Sequence, residues 1–203
     1  LGYSTLNFGQ SYKVACLDDY PPYSSVNEAG EITGFLIDWW DLWGRQTGID
    51  ISFVPGSVDD CISWLNNNEV DIIAGAFYSE DLSKQYDFGD QILGTQAILC
   101  IRKELEPVHT DSINFPISLV KNGYTGNYLG ENHPNLELDL LKSNSVLYEA
   151  VANQEIDAFV YITPYNVLNL VQITIPEGYK EFEILFSNNL RPMVKKGNKK
   201  VLA

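Results

Sequence analysis

Apolar residues in the first half of the chain follow helical and strand-like periods in turn. Intervals of three and four residues separate Leu36, Trp39, Trp40 and Trp43. They predict an amphipathic helix over 36–46, stopped by Gly48, in which the tryptophans pack the helix rather than contact a ligand. The other elements predicted here are strands 12–18, 51–54 (ended by Pro55-Gly56) and 70–76, and helices 58–66 and 80–86. The β-α-β-α-β-α order predicts a parallel sheet covered by helices.

The second half of the chain restarts the same pattern. Its predicted strands are 117–120, 136–141 and 156–162, and its predicted helices are 125–130, 144–153 and one opened by Pro164 through Leu170. Long extended segments follow each half, at 92–101 and 182–198. Two α/β units of this kind predict two lobes joined by two crossing segments, with residues 1–97 plus 188–203 in lobe 1 and 98–187 in lobe 2. A cleft between such lobes is the expected place for a ligand.

The amino-acid composition and net charge limit the kinds of molecule that the protein is expected to bind. The chain of 203 residues is 45% hydrophobic and 12% aromatic, which is typical of a globular protein. Thirteen Lys and Arg against 27 Asp and Glu give a net charge of -14, which repels nucleic acid. No uninterrupted apolar run reaches the roughly 18 residues of a membrane helix. The opening LGYSTLNFGQ lacks an initiator Met and a basic leader, so we expect a piece of a longer protein.

Residues that could carry metal or covalent chemistry are few. Cys16, Cys61 and Cys100 are too widely spaced for a metal pattern and are expected to be buried free thiols, with a Cys16–Cys61 bridge left open. His109 and His133 have no second ligand at metal spacing. The catalytic motifs G-x-S-x-G, H-E-x-x-H and the P-loop are absent from the sequence. We therefore expect no cofactor, no metal and no enzymatic activity.

A series of short motifs, each weak alone, occurs in a characteristic order and spacing. They are 19-DYPPY-23, Gly30, 34-GF-35, Asp38, 70-VDIIAG-75, 86-YDF-88, 123-GYT-125 and 156-IDAF-159. In these motifs the chain resembles the extracellular solute-binding proteins of family 3, which have the type II periplasmic-binding fold and mostly bind polar amino acids. The spacing from Asp71 to Phe88 is similar to the branch that forms sensor domains of histidine kinases and diguanylate cyclases.

The resemblance implies a set of ligand contacts. In the family, an arginine grips the ligand carboxylate, an aspartate of the second lobe takes the ammonium group, an aromatic residue covers the side chain, and backbone N–H groups at a Gly-x-Thr turn complete the site. Carried over, the aromatic positions are Tyr20 and Tyr23, the hydroxyl position is Ser79, and the turn is Gly123 with Thr125. The arginine position falls on Leu82 and the aspartate position on Ile162. Phe77 stands where a small polar residue is usual.

Loss of both charged contacts argues against a free α-amino acid as the ligand, and three interpretations stay open. In the first interpretation, the cleft holds a less charged and more apolar molecule, with five aromatic side chains as stacking surfaces: Tyr20, Tyr23, Phe77, Tyr78 and Tyr161. Alternatively, the cleft is degenerate and the lobes act through a partner protein. In the third interpretation the register is shifted, and Lys84 supplies the missing cation.

The resemblance implies an extracytoplasmic sensor domain that binds a small molecule in the cleft and signals by lobe closure. Its expected location is the periplasm, tethered to the inner membrane, with a membrane-anchored signalling module in the same chain. The alternatives are a stand-alone periplasmic solute-binding protein of a transporter and a ligand-free interaction module.

Overall fold

The predicted alternation of strands and helices is present in the computed structural model, which describes residues 9–164, 175–199 and 202. The chain divides into two compact units. Unit 1 contains the described residues of Leu1–Ala76, Glu80–Gly89 and Pro192–Ala203, and unit 2 contains those of Phe77–Ser79 and Asp90–Arg191. Within the described ranges, no helix has both the length and the apolar character needed to cross a membrane.

Unit 1 is a parallel sheet flanked by helices. In chain order its elements are β1 (Ser11–Leu17), β2 (Asp19–Tyr20), β3 (Ser24–Val26), β4 (Ile32–Thr33), α1 (Phe35–Thr47), β5 (Asp50–Gly56), α2 (Val58–Asn66), β6 (Ile72–Phe77), α3 (Glu80–Gln85) and β7 (Tyr86–Phe88). Strand β1 pairs in parallel with β5 on one side and with β6 on the other. Strands β2, β3 and β4 form a small separate antiparallel sheet.

The start and end of α1 are fixed by two glycines. Gly34 has φ 130°, and a Cβ there would lie 2.5 Å from the Tyr23 carbonyl oxygen, so only glycine fits. The same approach lets the Pro22 and Tyr23 carbonyls accept the first N–H groups of the helix, at 3.0 and 2.9 Å. The helix ends at Gly48, in the left-handed region with φ 71°. The double-proline turn thus forms the beginning of α1.

Packing of α1 depends on Trp40. Its side chain is 2% exposed, and its indole N–H donates to the Ala74 carbonyl of β6 at 2.9 Å. Trp39 and Trp43 meet it edge to face, at centroid distances of 5.1 and 5.4 Å. The tryptophans therefore pack the helix, as the sequence indicated.

In its described residues, unit 2 is a mixed sheet with two α-helices. Its elements are β8 (Leu93–Arg102), a 3₁₀ turn (Thr110–Ser112), β9 (Ile117–Val120), α4 (Tyr124–Asn132), β10 (Leu138–Leu141), α5 (Asn144–Ala152), β11 (Ala158–Pro164) and most of β12 (Tyr179–Lys195). The strand order is β10-β9-β11-β8-β12, in which β9 is parallel to both neighbours and β8 is antiparallel to both of its own. The last residues of β12 belong to unit 1, where Met193 lies opposite Phe88 of β7.

The structure differs from the sequence-based expectation at three places. Strand β5 continues through Pro55, which an edge strand tolerates because its N–H side needs no ladder partner. Pro164 is the last residue of β11 rather than the first of a helix, and the rest of that predicted helix lies outside the described residues. The chain passes from unit 1 to unit 2 between residues 89 and 90 and returns between residues 191 and 192, whereas the predicted lobe boundaries were 97/98 and 187/188. The reason is that β8 pairs with β12 from Leu93 onward.

Candidate functional site

Unit 2 carries a group of aromatic side chains at the beginning of α4. The Tyr124 ring meets Phe77 and Phe186 edge to face, at centroid distances of 5.5 and 5.2 Å. One helical turn later, Tyr128 lies 4.6 Å from Phe186 and donates its hydroxyl to the Leu185 carbonyl at 2.8 Å. Each such aromatic pair adds about 0.5–1.5 kcal/mol beyond its buried area. With Tyr78, which follows Phe77, these residues form what we call the aromatic face.

Ile162 shares one face of the sheet with Phe186. Both residues lie opposite Ala97 of β8, one on β11 and the other on β12, so the three form a row across the strands. Ile162 and Phe186 are both half-buried against the same hydrophobic cluster, which includes Ala97, Leu99 and Leu129. Ile162, which the resemblance assigns to the family's aspartate position, thus belongs to an apolar surface next to the aromatic face.

Tyr161 lies on the opposite face of the same strand, since neighbouring strand residues point to opposite sides. It packs against a second cluster, with Phe159 and Tyr179, and burial raises the pKa of its hydroxyl to about 12. The structure therefore separates Tyr161 from Ile162 and from Phe186.

Asn188 of β12 links three parts of the site. Its amide donates to the Tyr78 carbonyl at 3.0 Å, and its side chain also hydrogen-bonds to the Tyr124 hydroxyl. Its amide oxygen accepts the Asn189 N–H at 2.7 Å, and its backbone carbonyl accepts the Thr95 hydroxyl at 3.1 Å. Burial raises the pKa of Tyr124, so its hydroxyl is neutral at physiological pH.

The predicted Gly-x-Thr turn forms the start of α4. Gly123 is the N-cap, with φ -88°, and Thr125 is the second residue of the helix. Because glycine has no side chain, that position offers no side-chain acceptor to the first N–H groups of the helix. This end of α4 therefore presents hydrogen-bond donors next to the aromatic face.

Leu82, which the resemblance assigns to the family's arginine position, has a packing role in unit 1. It is half-buried on α3 against a hydrophobic cluster that includes Ala15, Leu65 and Met193. Lys84 lies two residues further on, and its ammonium group is 2.6 Å from Asp81, with both side chains more than 70% exposed. Because this ion pair is exposed, it constrains Lys84 only weakly, and the interpretation in which Lys84 replaces the arginine stays open.

Tyr20 and Tyr23 lie together in unit 1, with ring centroids 4.7 Å apart. Tyr23 is 1% exposed and supports α1 through its carbonyl, whereas Tyr20 is half-buried. Tyr20 is the accessible member of the pair. Ser79, at the hydroxyl position, is the residue immediately before α3.

Five residues of this part of unit 2 were missed by the sequence reasoning: Tyr124, Tyr128, Phe186, Asn188 and Arg191, whose Cζ lies 5.9 Å from the centroid of the Tyr78 ring. Tyr124 was recognisable, because it lies inside the Gly-x-Thr motif and begins a helix. Tyr128 lies one turn further along α4. Phe186, Asn188 and Arg191 lie on β12, where two register shifts relative to β8 hide which side chains share a face.

The described residues offer little for covalent or metal chemistry. All three cysteines lie in the described part and are buried free thiols, and the Cys61 thiol donates to the Cys16 carbonyl at 3.6 Å. Burial raises their pKa values to about 11 for Cys16 and about 12 for Cys61 and Cys100, so they are poor nucleophiles. Within residues 9–164 and 175–199, no cluster of His, Cys, Asp and Glu is arranged to hold a metal ion.

Comparison with known proteins gives relatives of two kinds. The chain is 24% identical over 137 residues to a probable histidine-binding protein of Neisseria gonorrhoeae, which covers 64% of this chain and 51% of that protein. It is 27% identical over 143 residues to the sensor protein EvgS of Escherichia coli K12, covering 69% of this chain but 12% of EvgS. The chain therefore spans at most about half the length of either relative.

The fold is similar to that of a solved histidine kinase sensor domain that itself resembles periplasmic binding proteins. The TM-score is 0.79 at 18% identity, over 96% of this chain and 86% of the sensor domain. The sequence profile of the bacterial extracellular solute-binding proteins, family 3, matches residues 12–203. With its two mixed α/β units and the motifs described above, the chain belongs to the bacterial extracellular solute-binding proteins, family 3.

Proposed function

We propose that this chain is the extracytoplasmic ligand-binding sensor domain of a signalling receptor, that it binds a small molecule other than a free α-amino acid, and that it catalyses no reaction. Its relationship to EvgS and its fold likeness to a kinase sensor domain support the sensor role. The restriction on the ligand rests on one observation: Leu82 and Ile162 both pack against hydrophobic clusters of their own units.

Leu82 and Ile162, in place of an arginine and an aspartate, lower the expected affinity for an α-amino acid by an amount that follows from the energies of the lost contacts. A charge-assisted hydrogen bond contributes about 1.5–3 kcal/mol. A desolvated charge left without its partner costs about 3–5 kcal/mol. Because about 1.4 kcal/mol corresponds to a factor of ten, loss of one such contact weakens binding about a hundredfold or more. Loss of both leaves a zwitterionic ligand without useful affinity.

The aromatic face suggests what takes the place of the amino acid. Its rings offer stacking surfaces, while Asn188 and the first N–H groups of α4 offer hydrogen bonds. Such a surface suits a planar or apolar molecule with a few polar groups. Tyr20, Ser79, Gly123 and Thr125 remain proposed contacts. Closure of two lobes around this ligand remains our prediction for how the signal is passed on.

A thermal-shift screen tests the proposal. A ligand at 100 times its Kd stabilises the folded protein by about 2.7 kcal/mol, which raises the Tm by several degrees. We expect shifts from members of a panel of aromatic acids, neutral aromatic compounds, sugars and short peptides, and none from the twenty α-amino acids. Large shifts from amino acids would contradict the restriction on the ligand. Silence across the whole panel would favour an interaction module.

The assignment of positions 82 and 162 has its own test. The double change Leu82→Arg with Ile162→Asp restores both charges, so we expect it to gain affinity for α-amino acids while neither single change does. Calorimetric titration with L-histidine and L-arginine measures the gain. A folded double variant that gains no affinity would count against the assignment.

The full-length coding sequence separates the receptor from a transport protein. A membrane-spanning segment followed by a kinase or cyclase domain in the same chain supports the receptor. A secretion signal and no further domain would instead indicate a stand-alone solute-binding protein.

A further inference from the structure

Strand β10 forms an open edge of the sheet in unit 2. Among the described strands it pairs with β9 alone, in parallel. The Glu137 and Leu141 carbonyls accept N–H groups of β9 and of the residue after it, each at 2.9 Å. Backbone groups of successive strand residues point alternately to the two sides of a strand, so those of Leu138 and Leu140 point away from β9. The edge therefore offers the N–H and C=O groups of these two leucines to a further strand.

The side chains along this edge alternate in character. The sequence 136-LELDL-140 places an acidic residue between successive leucines. Leu138 is half-buried against a hydrophobic cluster of unit 2, whereas Leu140 is 55% exposed. Glu137 and Asp139 share the other face, because successive side chains of a strand point to opposite faces. The edge is thus apolar on one face and negatively charged on the other.

The acidic face of β10 adjoins a cavity of about 300 Å³. Asp157 is 3.1 Å from the Arg102 guanidinium, and Asp139 accepts the Ser118 hydroxyl at 3.0 Å. Within residues 9–164 and 175–199, the exposed Glu137 and Glu155 have no cation as an ion-pair partner. The cavity has a surplus of negative charge, because four acidic residues contribute to its lining: Glu137, Asp139, Glu155 and Asp157.

This charge favours a basic partner over a second copy of the chain. Two copies joined at β10 would bring two acidic edges together, on chains that each carry a net charge of -14. Across a strand pair, neighbouring side chains lie on the same face, and opposite charges there stabilise the pair. A strand in which lysine or arginine alternates with apolar residues therefore matches both faces of β10. The aliphatic stems of its basic side chains add apolar contact while their charges reach the carboxylates.

We propose that β10 is a docking edge for an extended, basic segment of a partner protein, which adds to the sheet of unit 2 as a further strand. Backbone hydrogen bonds to Leu138 and Leu140 fix the register of the segment, and its apolar side chains contact Leu140. Its lysine or arginine side chains lie at Glu137 and at the acidic cavity. The inference does not depend on the ligand of the proposed function, since all the residues that carry it lie in this part of unit 2.

A fluorescein-labelled peptide of sequence KVKVKVK serves as the probe, and fluorescence anisotropy measures its affinity. We expect it to bind at least tenfold more tightly than the peptide KKKKVVV, which has the same composition without the alternation, and to bind more weakly as the salt concentration rises. The double change Glu137→Gln with Glu155→Gln should weaken binding about threefold to thirtyfold. Leu140→Pro should weaken it at least tenfold, because proline removes an outward N–H group, a change that an edge strand tolerates.

Glu28→Gln with Glu31→Gln is the matched control for the charge change. Both residues are exposed and lie in unit 1. Glu31 accepts the Asn27 amide at 2.9 Å, much as Glu155 accepts the Asn153 amide at 3.3 Å. The control removes the same charge and should leave the affinity for the peptide within about twofold. Circular dichroism verifies that each variant is folded.

Amide hydrogen exchange in the wild type separates strand addition from a loose attraction between charges. The N–H groups of Leu138 and Leu140 should exchange at least tenfold more slowly in the complex, while that of Asp139, which faces β9, serves as the reference. This measurement needs no variant, so it tests the inference even if Leu140→Pro fails to fold. Unchanged exchange at both leucines would overturn the inference, and so would equal affinity for the two peptides. A dimer in sedimentation that Leu140→Pro dissociates would also overturn it, because a second copy would then occupy the edge.

Discussion

Truncation of Leu82 tests whether this residue is part of the unit 1 core. In Leu82→Ala the side chain loses its contacts with the cluster around Leu65 and Met193. Truncating a fully buried leucine costs about 2–5 kcal/mol, and Leu82 is only half-buried, so we expect a loss of about 1–2 kcal/mol in the free energy of unfolding. For a protein of this size, this corresponds to a fall of roughly 2–8 °C in Tm.

Urea denaturation followed by tryptophan fluorescence measures this loss. Leu42→Ala is the matched control, because Leu42 lies on α1, is 48% exposed, and undergoes the same change in helix propensity. Its expected cost is within about 0.5 kcal/mol. Leu82→Arg should cost less than Leu82→Ala, since the arginine stem can cover the same apolar surface while the charge reaches water. Equal losses for Leu82→Ala and Leu42→Ala would refute the packing role.

Three further predictions concern the framework. Gly34→Ala should strongly destabilise the fold, because the residue has φ 130° and the new Cβ would lie 2.5 Å from a backbone oxygen. Gly130→Ala, in open space on α4, should be neutral or stabilising. Thermal denaturation compares the Tm values of the two variants. Because burial raises the pKa values of all three thiols, Ellman's reagent at pH 8 should label the native protein slowly. After unfolding, the reagent should label three thiols per chain. Fast labelling of the native protein would contradict this. The Gly197 N–H, at 2.7 Å, and Lys196, at 3.0 Å, hold the pKa of the Asp87 carboxyl below its usual range. Asp87→Asn should therefore destabilise the protein at pH 7. The difference in unfolding free energy between wild type and variant should shrink as the pH falls below about 3.9, the ordinary pKa of an aspartate, and should vanish below the lowered pKa of Asp87. A difference that is independent of pH would contradict this.

Much of the fold follows from local chemistry and could be predicted from the sequence. The tryptophan spacing predicts α1, and Gly34 and Gly48 mark its two ends because each occupies a backbone conformation that side chains disfavour. The capping box of Ser57 and Asp60 similarly marks the start of α2. Prolines were less reliable guides, since Pro55 lies within an edge strand and Pro164 ends one.

The candidate site was less predictable, for two physical reasons. Tyr161 and Ile162 are consecutive residues of a strand, so their side chains point to opposite faces of the sheet, as the period of two residues already implied. Phe186, Asn188 and Arg191 depend instead on the pairing of β12 with β8. Register shifts between Glu181 and Glu183 and between Ile184 and Phe186 change which side chains share a face, and the sequence pattern of β12 carries no sign of them.

The resemblance supplied what periodicity could not, by assigning family roles to positions 82 and 162. In the structure, the apolar residues at these two positions pack against hydrophobic clusters of their own units.

Calorimetric titration of the wild-type protein with each of the twenty α-amino acids tests the central claim most directly. We predict no binding with a Kd below about 1 mM, since the proposed loss of both charged contacts would weaken binding by a hundredfold or more for each contact. A micromolar Kd for any of the twenty would contradict it.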